Sequence, residues 1–197
     1  MLIYSMSVEK SPKIISVTGA YSGVGKTTVC SILLKNLKGF GAVKFTKANL
    51  YVSLIDDINI LGQKGKDTAM FLKSGAVRVL WVQSPYSGLK DVLEIALSRM
   101  SDLAGVIVEG NSPVDFLNPH LVVFIIGEKG KIKPSAFKIC KKADAIIINS
   151  KKQTTHRAFL EKCPGAVKVF RIDLLKKKGE INEFLSFVKE RISGGSH

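Results

Sequence analysis

Short runs of β-branched and other apolar residues recur along the chain and alternate with stretches in which apolar residues follow a helical period. The short runs predict β-strands, and the stretches between them predict helices that connect parallel strands. The predicted strands are residues 14–18, 42–46, 77–82, 106–109, 121–126, 145–149 and 167–172. The predicted helices are residues 26–37, 66–74, 89–98, 134–142, 155–162 and 181–191. We therefore expect an α/β fold of three layers, with helices on both faces of a mostly parallel central sheet of about seven strands.

Two segments carry further expectations. Residues Ala145 to Ile148 are apolar at both alternate positions, as expected of a strand that helices bury on both faces of the sheet. Residues 47–65 show no clear period, and so long a loop is usually functional or mobile. Ligands of such sheets bind beyond the carboxyl ends of the strands, so functional residues are expected there.

The length of the chain fits one domain. Single hydrophobic cores grow up to about 250 residues, and a second core within 197 residues would be small. We therefore predict one domain over residues 1–192, followed by a flexible tail over residues 193–197. A hydrophobic share of 46% with only 8% aromatic residues excludes a disordered or fibrous chain and suits a buried parallel sheet.

The cysteines and the N-terminal segment bear on the cellular compartment. Cys30, Cys140 and Cys163 are too far apart in sequence for a disulfide framework or a zinc-binding pair to be recognised, so a reducing compartment is expected. The first twelve residues lack the apolar core of a signal peptide. No apolar run approaches the length of about 18 residues that a membrane span requires. A cytoplasmic location without membrane contact is expected.

The formal net charge of +14 raises nucleic acid, an anionic membrane face and a phosphate-rich ligand as partners. The lysines form short clusters, such as 141–142, 151–152 and 176–178, and no aromatic residues that could stack on bases lie between them. This distribution favours a solvated lysine surface over a nucleic-acid groove. Nucleic acid is therefore not the expected partner.

The segment from Gly19 to Thr28, here called the phosphate loop, follows one predicted strand and leads directly into a predicted helix. Its glycines let successive backbone amides point inward, and the helix presents its positive end to an anion. Lys26 is expected to reach the terminal phosphates of ATP or GTP, and the Thr27 hydroxyl is expected to bind Mg²⁺. The predicted nucleotide-binding residues of the loop are Gly19, Ser22, Gly23, Val24, Gly25, Lys26, Thr27 and Thr28.

The first glycine of the loop is displaced from the usual phosphate-loop spacing. The spacing G-x-x-x-x-G-K-[ST] places Ala20 at the first glycine position, and Gly19 lies one residue earlier. This variant, with its ending Val24-Gly25-Lys26-Thr27, resembles the loops of dethiobiotin synthetase and the cobyrinic acid amidotransferases. That resemblance implies nucleotide binding coupled to ligase or amidoligase chemistry.

Glu109 ends the apolar strand 106–109, and it would lie beside the phosphate loop if its strand neighbours the first one. We predict that this carboxylate binds Mg²⁺ or orients water, directly or through a bound water molecule. The alternative is a solvated glutamate at a strand end. Asp67 lies at the start of a predicted helix, where capping of the helix amides is the simplest explanation.

Five segments in order resemble MobB, the molybdopterin-guanine dinucleotide biosynthesis protein B. They are residues 17–28, 44–45, 65–68, 75–76 and 106–110. The resemblance implies a small GTP-binding adaptor, often dimeric, that assists an enzyme of molybdenum cofactor biosynthesis. It also implies phosphate and magnesium contacts for Lys26, Thr27, Asp67 and Glu109. This chain departs from the family in having Phe45, where the family has a histidine after the strand-end lysine.

The segment 143–152 is similar to the base-recognition segment A-D-x-x-x-x-N-K-x-D of metallochaperone-type GTPases. The resemblance implies that Asn149 orients the nucleotide base. Lys152 replaces the aspartate of that segment, and a lysine cannot accept hydrogen bonds from guanine. Guanine selectivity is therefore expected to be weak, which makes ATP a plausible ligand. The alternative is that Asn149 only closes a turn.

Three functions remain open from the sequence. The first is a Mg²⁺-dependent, slow NTPase that acts as an adaptor in cofactor assembly, with Lys26, Asp67 and Glu109 as its catalytic residues. The second is an ATP-dependent ligase in which Lys44 or Lys47 stabilises a transferring phosphoryl group. The third is a non-catalytic basic binding module, whose affinity would fall steeply with salt.

Overall fold

The computed structural model describes residues 11–128, 132–151, 157–161, 163 and 167–194. Its strands are β1 (Lys13–Gly19), β2 (Phe40–Lys47), β3 (Ser53–Ile55), β4 (Val79–Ser84), β5 (Gly105–Glu109), β6 (Leu121–Gly127), β7 (Ala145–Asn149), β8 (Lys168–Asp173) and β9 (Lys178–Gly179). Its helices are α1 (Lys26–Asn36), α2 (Ile58–Leu61), α3 (Asp67–Lys73), α4 (Leu89–Ser98), α5 (Pro134–Cys140), α6 (Arg157–Leu160) and α7 (Ile181–Ser193). Two short 3₁₀ helices span Tyr86–Gly88 and Ser112–Asp115.

Within the described ranges, the nine strands form one sheet in the order β3-β4-β2-β5-β1-β6-β7-β8-β9. Neighbouring strands from β4 to β8 pair in parallel, whereas β3 and β9 pair antiparallel at the two edges. The seven predicted strands are the seven parallel ones, so the mostly parallel sheet is confirmed. The two edge strands, of three and two residues, are too short to show a period of two in the sequence.

Helices cover both faces of the sheet, which confirms the three-layer α/β fold. On one face, a hydrophobic cluster joins the central strands to α1, α2, α3 and α7. On the other face, α4 packs on one half of the sheet, and α5 and α6 pack on the other half. Strand β7 shows the expected double burial, because Ala145 and Ile147 join the first cluster while Ile146 and Ile148 join the second.

The segment 47–65 differs from the expected long loop. It contains β3 and α2, and the Asp57 side chain caps α2 by accepting a hydrogen bond of 2.8 Å from the Asn59 amide. Four residues of helix are too few to show a helical period, so the pattern could not reveal them. The segment is thus partly ordered by pairing with β4 and by capping.

Some predicted boundaries move, and some fall outside the described residues. Helix α5 ends at Cys140, and α7 extends to Ser193, the first residue of the predicted tail. Residues 195–197, Lys152 and the beginning of predicted helix 155–162 lie outside the described residues. Within the described ranges, no helix has both the length and the apolar character needed to cross a lipid bilayer.

The strand order places three functional segments side by side. Because β5 lies between β2 and β1, Glu109 is in register with Lys44 of β2 on one side and with Val17 of β1 on the other. The phosphate loop begins two residues after Val17, at the carboxyl end of β1. The strand-end carboxylate therefore lies beside the phosphate loop, which was the condition for the role predicted for Glu109.

Candidate functional site

The phosphate loop connects β1 to α1 through two glycines with positive φ. Gly23 has φ 78° and Gly25 has φ 111°, a region of backbone conformation that other residues adopt with strain. At Gly25 a side chain is also excluded by space, because an added Cβ atom would lie 2.5 Å from Leu174 Cδ1. The glycine at position 25 is therefore required both by the turn and by the packing of Leu174 against it.

The displaced glycine has a steric reason. A Cβ atom on Gly19 would lie 2.5 Å from Val24 Cγ1, whereas Ala20 is fully buried with its methyl group in the hydrophobic cluster beside α5. The fold of the loop brings the Val24 side chain back against the end of β1. A glycine is thus needed at position 19, where the loop closes on itself, and an alanine fits at position 20.

The phosphate loop leads into the N-terminus of α1, which has eleven residues, no side-chain cap and no acidic residue in its first turn. The positive end of the helix is therefore not neutralised from within its own first turn. The Lys26 Nζ atom donates a hydrogen bond of 3.2 Å to the Tyr21 carbonyl and so lies over the loop. The backbone amides of the loop, the N-terminus of α1 and the Lys26 ammonium group together form a site suited to an anion.

Glu109 is the centre of a charged network at the end of β5. Its carboxylate is almost fully buried and accepts hydrogen bonds from Lys44 Nζ at 2.6 Å and from Thr27 Oγ1 at 3.1 Å. Lys44 Nζ also lies 2.5 Å from the Asp67 carboxylate. A buried carboxylate requires such compensation, because burial without partners costs several kcal/mol. The three predicted acidic and hydroxyl residues are thus joined in one network: Lys44 contacts Asp67 and Glu109, and Glu109 contacts Thr27.

The electrostatics differ between the two lysines of the site. Burial lowers the pKa of Lys26, and the nearby positive charge of Lys44 lowers it further, although Glu109 opposes this shift. Burial also lowers the pKa of Lys44, but Glu109 and Asp67 outweigh burial, so that the pKa of Lys44 is raised. Lys44 is therefore a permanent charge held by its two carboxylates, whereas the charge of Lys26 responds more readily to its surroundings.

Asn111 fixes the beginning of the phosphate loop. Its side-chain oxygen accepts from the Gly19 amide at 2.9 Å, and its side-chain nitrogen donates to the Gly19 carbonyl at 2.9 Å. This pair holds the loop to the segment directly after Glu109. No local sequence pattern indicates this pairing, because the two residues are 92 positions apart. Gly19 itself is buried at this junction and does not line the groove, so its role is to allow the loop to fold.

A groove with a volume of about 830 Å³ runs along the phosphate loop. Most of the predicted site residues line it: Ser22, Gly23, Gly25, Lys26, Thr27, Thr28, Asp67 and Glu109. Lys44, Lys47 and Lys133 add positive charge to its walls. The groove is therefore polar and has a net excess of basic side chains, which suits a polyphosphate.

A second cavity of about 740 Å³ lies on the other side of the loop and shares Tyr21, Gly23 and Lys133 with the groove. Val24, Ile132 and Leu175 give it apolar walls. Its polar side chains come from Glu128, Lys133, Asn149, Ser150, Lys151 and Asp173. An apolar cavity with a few polar groups, continuous with a phosphate-binding groove, suits the base and sugar of a nucleotide.

Asn149 lies at the end of β7, between the cavity and the phosphate loop. Its side-chain nitrogen donates to the Val24 carbonyl at 3.0 Å, and its side-chain oxygen accepts from the Leu174 amide at 3.1 Å. It therefore links the phosphate loop to the chain that follows β8, in addition to lining the cavity. Asp173, which sequence reasoning missed, brings a carboxylate to the same cavity from β8.

The donor set at the groove fits Mg²⁺. The Thr27 hydroxyl and the Asp67 and Glu109 carboxylates are hard oxygen donors, and proteins commonly hold Mg²⁺ with one or two carboxylates together with substrate phosphates. Within the described residues, no group of three or more histidine, cysteine, aspartate or glutamate side chains could hold a metal ion. The observed donors therefore suit an ion shared with phosphate oxygens and do not form a protein-only metal cage.

No protein-family model and no curated protein matches this sequence. Solved structures do match. HypB from Helicobacter pylori, solved with nickel, has a TM-score of 0.63 at 14% identity, over 95% of this chain and 91% of that one. The hydrogenase maturation factor HypB from Archaeoglobus fulgidus has a TM-score of 0.60 at 18% identity, over 92% and 90%. The signal recognition particle receptor FtsY from Elizabethkingia anophelis has a TM-score of 0.51 at 18% identity, over 90% and 65%.

These matches show the fold: the chain has the architecture of the P-loop NTPases. The predicted class of fold is thereby confirmed. Identities of 14–18% carry the fold alone, and the more specific resemblance to MobB is not shown by these structures. The ligand and the activity of this chain therefore rest on the geometry of its own groove and cavity.

Proposed function

We propose that this protein binds a nucleoside triphosphate with Mg²⁺, and that the phosphate loop holds the phosphate tail. The observation that carries this proposal is the convergence of the α1 N-terminus, Lys26 and the Thr27–Glu109 hydrogen bond on one groove. The matched fold supports it, because the structural neighbours are P-loop NTPases. The adjoining cavity supports binding of the whole nucleotide, with its base on the side of Asn149.

Each residue has a role in this proposal. The Lys26 ammonium, released from the Tyr21 carbonyl, binds the terminal phosphates. Thr27, Asp67 and Glu109 hold Mg²⁺, with Glu109 acting through a water molecule because Thr27 and Lys44 already occupy its oxygens. Mg²⁺ would supply charge neutralisation at the transferred phosphate. Asn149 keeps the loop and the base cavity in a fixed relation.

The biological role that we propose is that of a slow NTPase acting as an adaptor in cofactor assembly, with the molybdenum cofactor as its specific pathway. The order of MobB-like segments supports the pathway, and the hydrogenase maturation factor among the neighbours supports the general type of role. The partner would then be a cofactor-biosynthesis enzyme, and the adaptor would act as a homodimer. Catalysis would rest mostly on positioning and on charge neutralisation at the transferred phosphate.

Calorimetry with ATP, GTP and their diphosphates, each with and without Mg²⁺, tests the central proposal. We expect Mg²⁺-dependent binding of the triphosphates that Lys26→Ala weakens strongly and that Thr27→Ala makes independent of Mg²⁺. Binding that both variants leave unchanged would falsify the proposal. Phosphate release measured on the same samples, with Lys26→Ala as the background control, tests hydrolysis.

A specific observation favours ATP-dependent ligation as a second candidate. A pocket of about 230 Å³ adjoins the groove and shares Lys44, Thr46 and Asp67 with it. Lys66 also lines this pocket, and its Nζ atom lies 4.8 Å from the centroid of the Trp81 ring. The two lysines suit a small acidic acceptor beside the terminal phosphate.

Phosphate release from ATP in the presence of diaminononanoate or cobyrinate tests this second candidate. Substrate-stimulated release is expected to fall in Lys66→Ala and to remain in Lys64→Ala, whose lysine is exposed on the preceding loop. Release that no substrate stimulates would count against ligation and would leave the adaptor role. The basic binding module stays a prediction, since the net charge alone supports it.

A further inference from the structure

Two of the three cysteines meet in the folded chain. Cys140 is the last residue of α5, and Cys163 lies in the connection between α6 and β8, 23 positions later. Their Sγ atoms are 2.9 Å apart. Cys140 is buried, whereas Cys163 is partly exposed. Neither cysteine lines the phosphate groove or the base cavity, and the pair has no part in the proposed nucleotide chemistry.

The two sulfur atoms need to move only a short distance to form a covalent bond. A disulfide has a sulfur–sulfur distance of about 2.0 Å, so the two atoms need to approach by roughly 0.9 Å. Cys163 lies in a bend outside the helices and strands, so a local adjustment of its backbone can supply this approach. Cys140, at the end of a packed helix, can remain where it is.

We propose that Cys140 and Cys163 form a reversible disulfide. The Cys163 thiolate attacks one sulfur of a small-molecule disulfide such as oxidised glutathione, and it releases one glutathione thiolate. The Cys140 thiolate then attacks the sulfur of Cys163 and releases the second glutathione thiolate. Each protein thiol gives up its proton, the two glutathione thiolates take these protons up, and the protein pair is oxidised by two electrons while the glutathione disulfide is reduced.

The closed segment contains one wall of the base cavity. It runs from the end of α5 through β7, and it carries Asn149, Ser150 and Lys151, which line that cavity. Oxidation therefore restrains the part of the chain that carries β7 and this wall of the cavity. By restricting the unfolded chain, the disulfide is expected to raise the thermal midpoint by about 5–10 °C.

The experiment treats the full-length protein with oxidised glutathione, alkylates the remaining thiols and maps the peptides by mass spectrometry. We expect a Cys140–Cys163 crosslinked peptide, one alkylated thiol at Cys30 and full recovery of three thiols on reduction. Cys30 is buried in α1 and gives the matched control, because Cys30→Ser should retain the crosslink. Cys140→Ser should instead hold glutathione on Cys163.

Three results would overturn the proposal. They are glutathione retained on Cys163 of the unmodified sequence, a crosslink between two chains on a non-reducing gel, and three free thiols after oxidation. If Cys140→Ser does not fold, Cys163→Ser replaces it, since the partly exposed side chain of Cys163 tolerates the change. That variant should show no crosslink and no rise in thermal midpoint on oxidation.

Discussion

The phosphate groove and the base cavity lie on either side of the same loop, yet they are built differently. The groove is held by charges, with Lys44 between two carboxylates and Thr27 on the buried Glu109. The cavity has apolar walls and is held to the loop by the two hydrogen bonds of one amide, Asn149. A phosphate tail is common to all nucleotides and is recognised by charge, whereas the base is recognised by a few placed polar groups.

The difference also lies in where the residues come from. The phosphate loop supplies eight of the 21 residues that line the groove, all within positions 20–28. The cavity collects side chains from the ends of β6, β7 and β8. The part of the groove that the loop supplies keeps its geometry as one segment, whereas the cavity depends on the relative positions of several strand ends. Variants on the two sides should therefore affect different properties.

Lys26→Ala should have the largest effect on ligand binding. The Lys26 ammonium group lines the groove and lies over the phosphate loop. Its loss should weaken triphosphate binding by about 100-fold, as expected for a hydrogen bond to a charged group. Calorimetry measures this change. Lys35→Ala is the matched control, because Lys35 is exposed in the last turn of the same helix. Equal affinities in the two variants would show that the groove does not hold the phosphates.

Glu109→Gln should have the largest effect on stability. It removes the buried charge that compensates Lys44, which then keeps only Asp67, and we expect a loss of about 2 kcal/mol in the free energy of unfolding. Denaturant unfolding in the absence of nucleotide measures it. Asp102→Asn provides the control, since its pair with Arg78 is on the surface and should contribute little. If Glu109→Gln were as stable as Asp102→Asn, the charged network would not contribute to the stability of the fold.

Asn149→Ala should weaken nucleotide binding by about 30-fold, through the loss of two hydrogen bonds worth about 1 kcal/mol each that fix the loop against the cavity. The loss of affinity should be the same for inorganic triphosphate and for a nucleoside triphosphate if Asn149 only positions the loop. It should be larger for nucleotide if Asn149 also contacts the base. Calorimetry with both ligands separates these roles, and Asn118→Ala, an exposed site, is the control.

Triphosphate affinity should fall several-fold between about pH 7 and pH 10. An ordinary lysine side chain loses its proton at about pH 10. The pKa of Lys26 is lowered from that ordinary value. A bound polyphosphate favours the charged lysine, so affinity is complete below the pKa of Lys26 in the free protein and is lost as the pH rises through it. Lys26→Arg should remove the dependence, because a guanidinium stays charged over this range. A dependence that persists in this variant would assign it to another group.

Asp173→Asn should produce the smallest effect, a change of two- to threefold in the ratio of GTP to ATP affinity. Its carboxylate lines the cavity and can accept hydrogen bonds from a guanine edge, the role that Lys152 cannot fill. A competition of ATP and GTP measures the ratio. An unchanged ratio would mean that Asp173 only caps the turn, where its Oδ1 atom accepts from the Leu175 and Lys176 amides.

The sequence by itself determined the seven parallel strands, most helix boundaries and the phosphate loop. Hydrophobic periods and the positions of glycines reflect local conformation, which neighbouring residues largely decide. For the same reason the two short edge strands and α2 escaped prediction. The roles of Lys26 and Thr27 could be inferred from their place between a strand and a helix.

Only the tertiary structure decided which distant residues meet. Lys44 and Glu109 are 65 positions apart, and Asn111 and Gly19 are 92 positions apart, yet each pair is in hydrogen-bond contact. Their meeting follows from the strand order β2-β5-β1, and no local pattern encodes that order. The same holds for Asp173 in the base cavity and for the Cys140–Cys163 pair, which the spacing of the cysteines did not reveal. Contacts between separate elements depend on packing across the whole sheet, and that packing is a property of the folded chain.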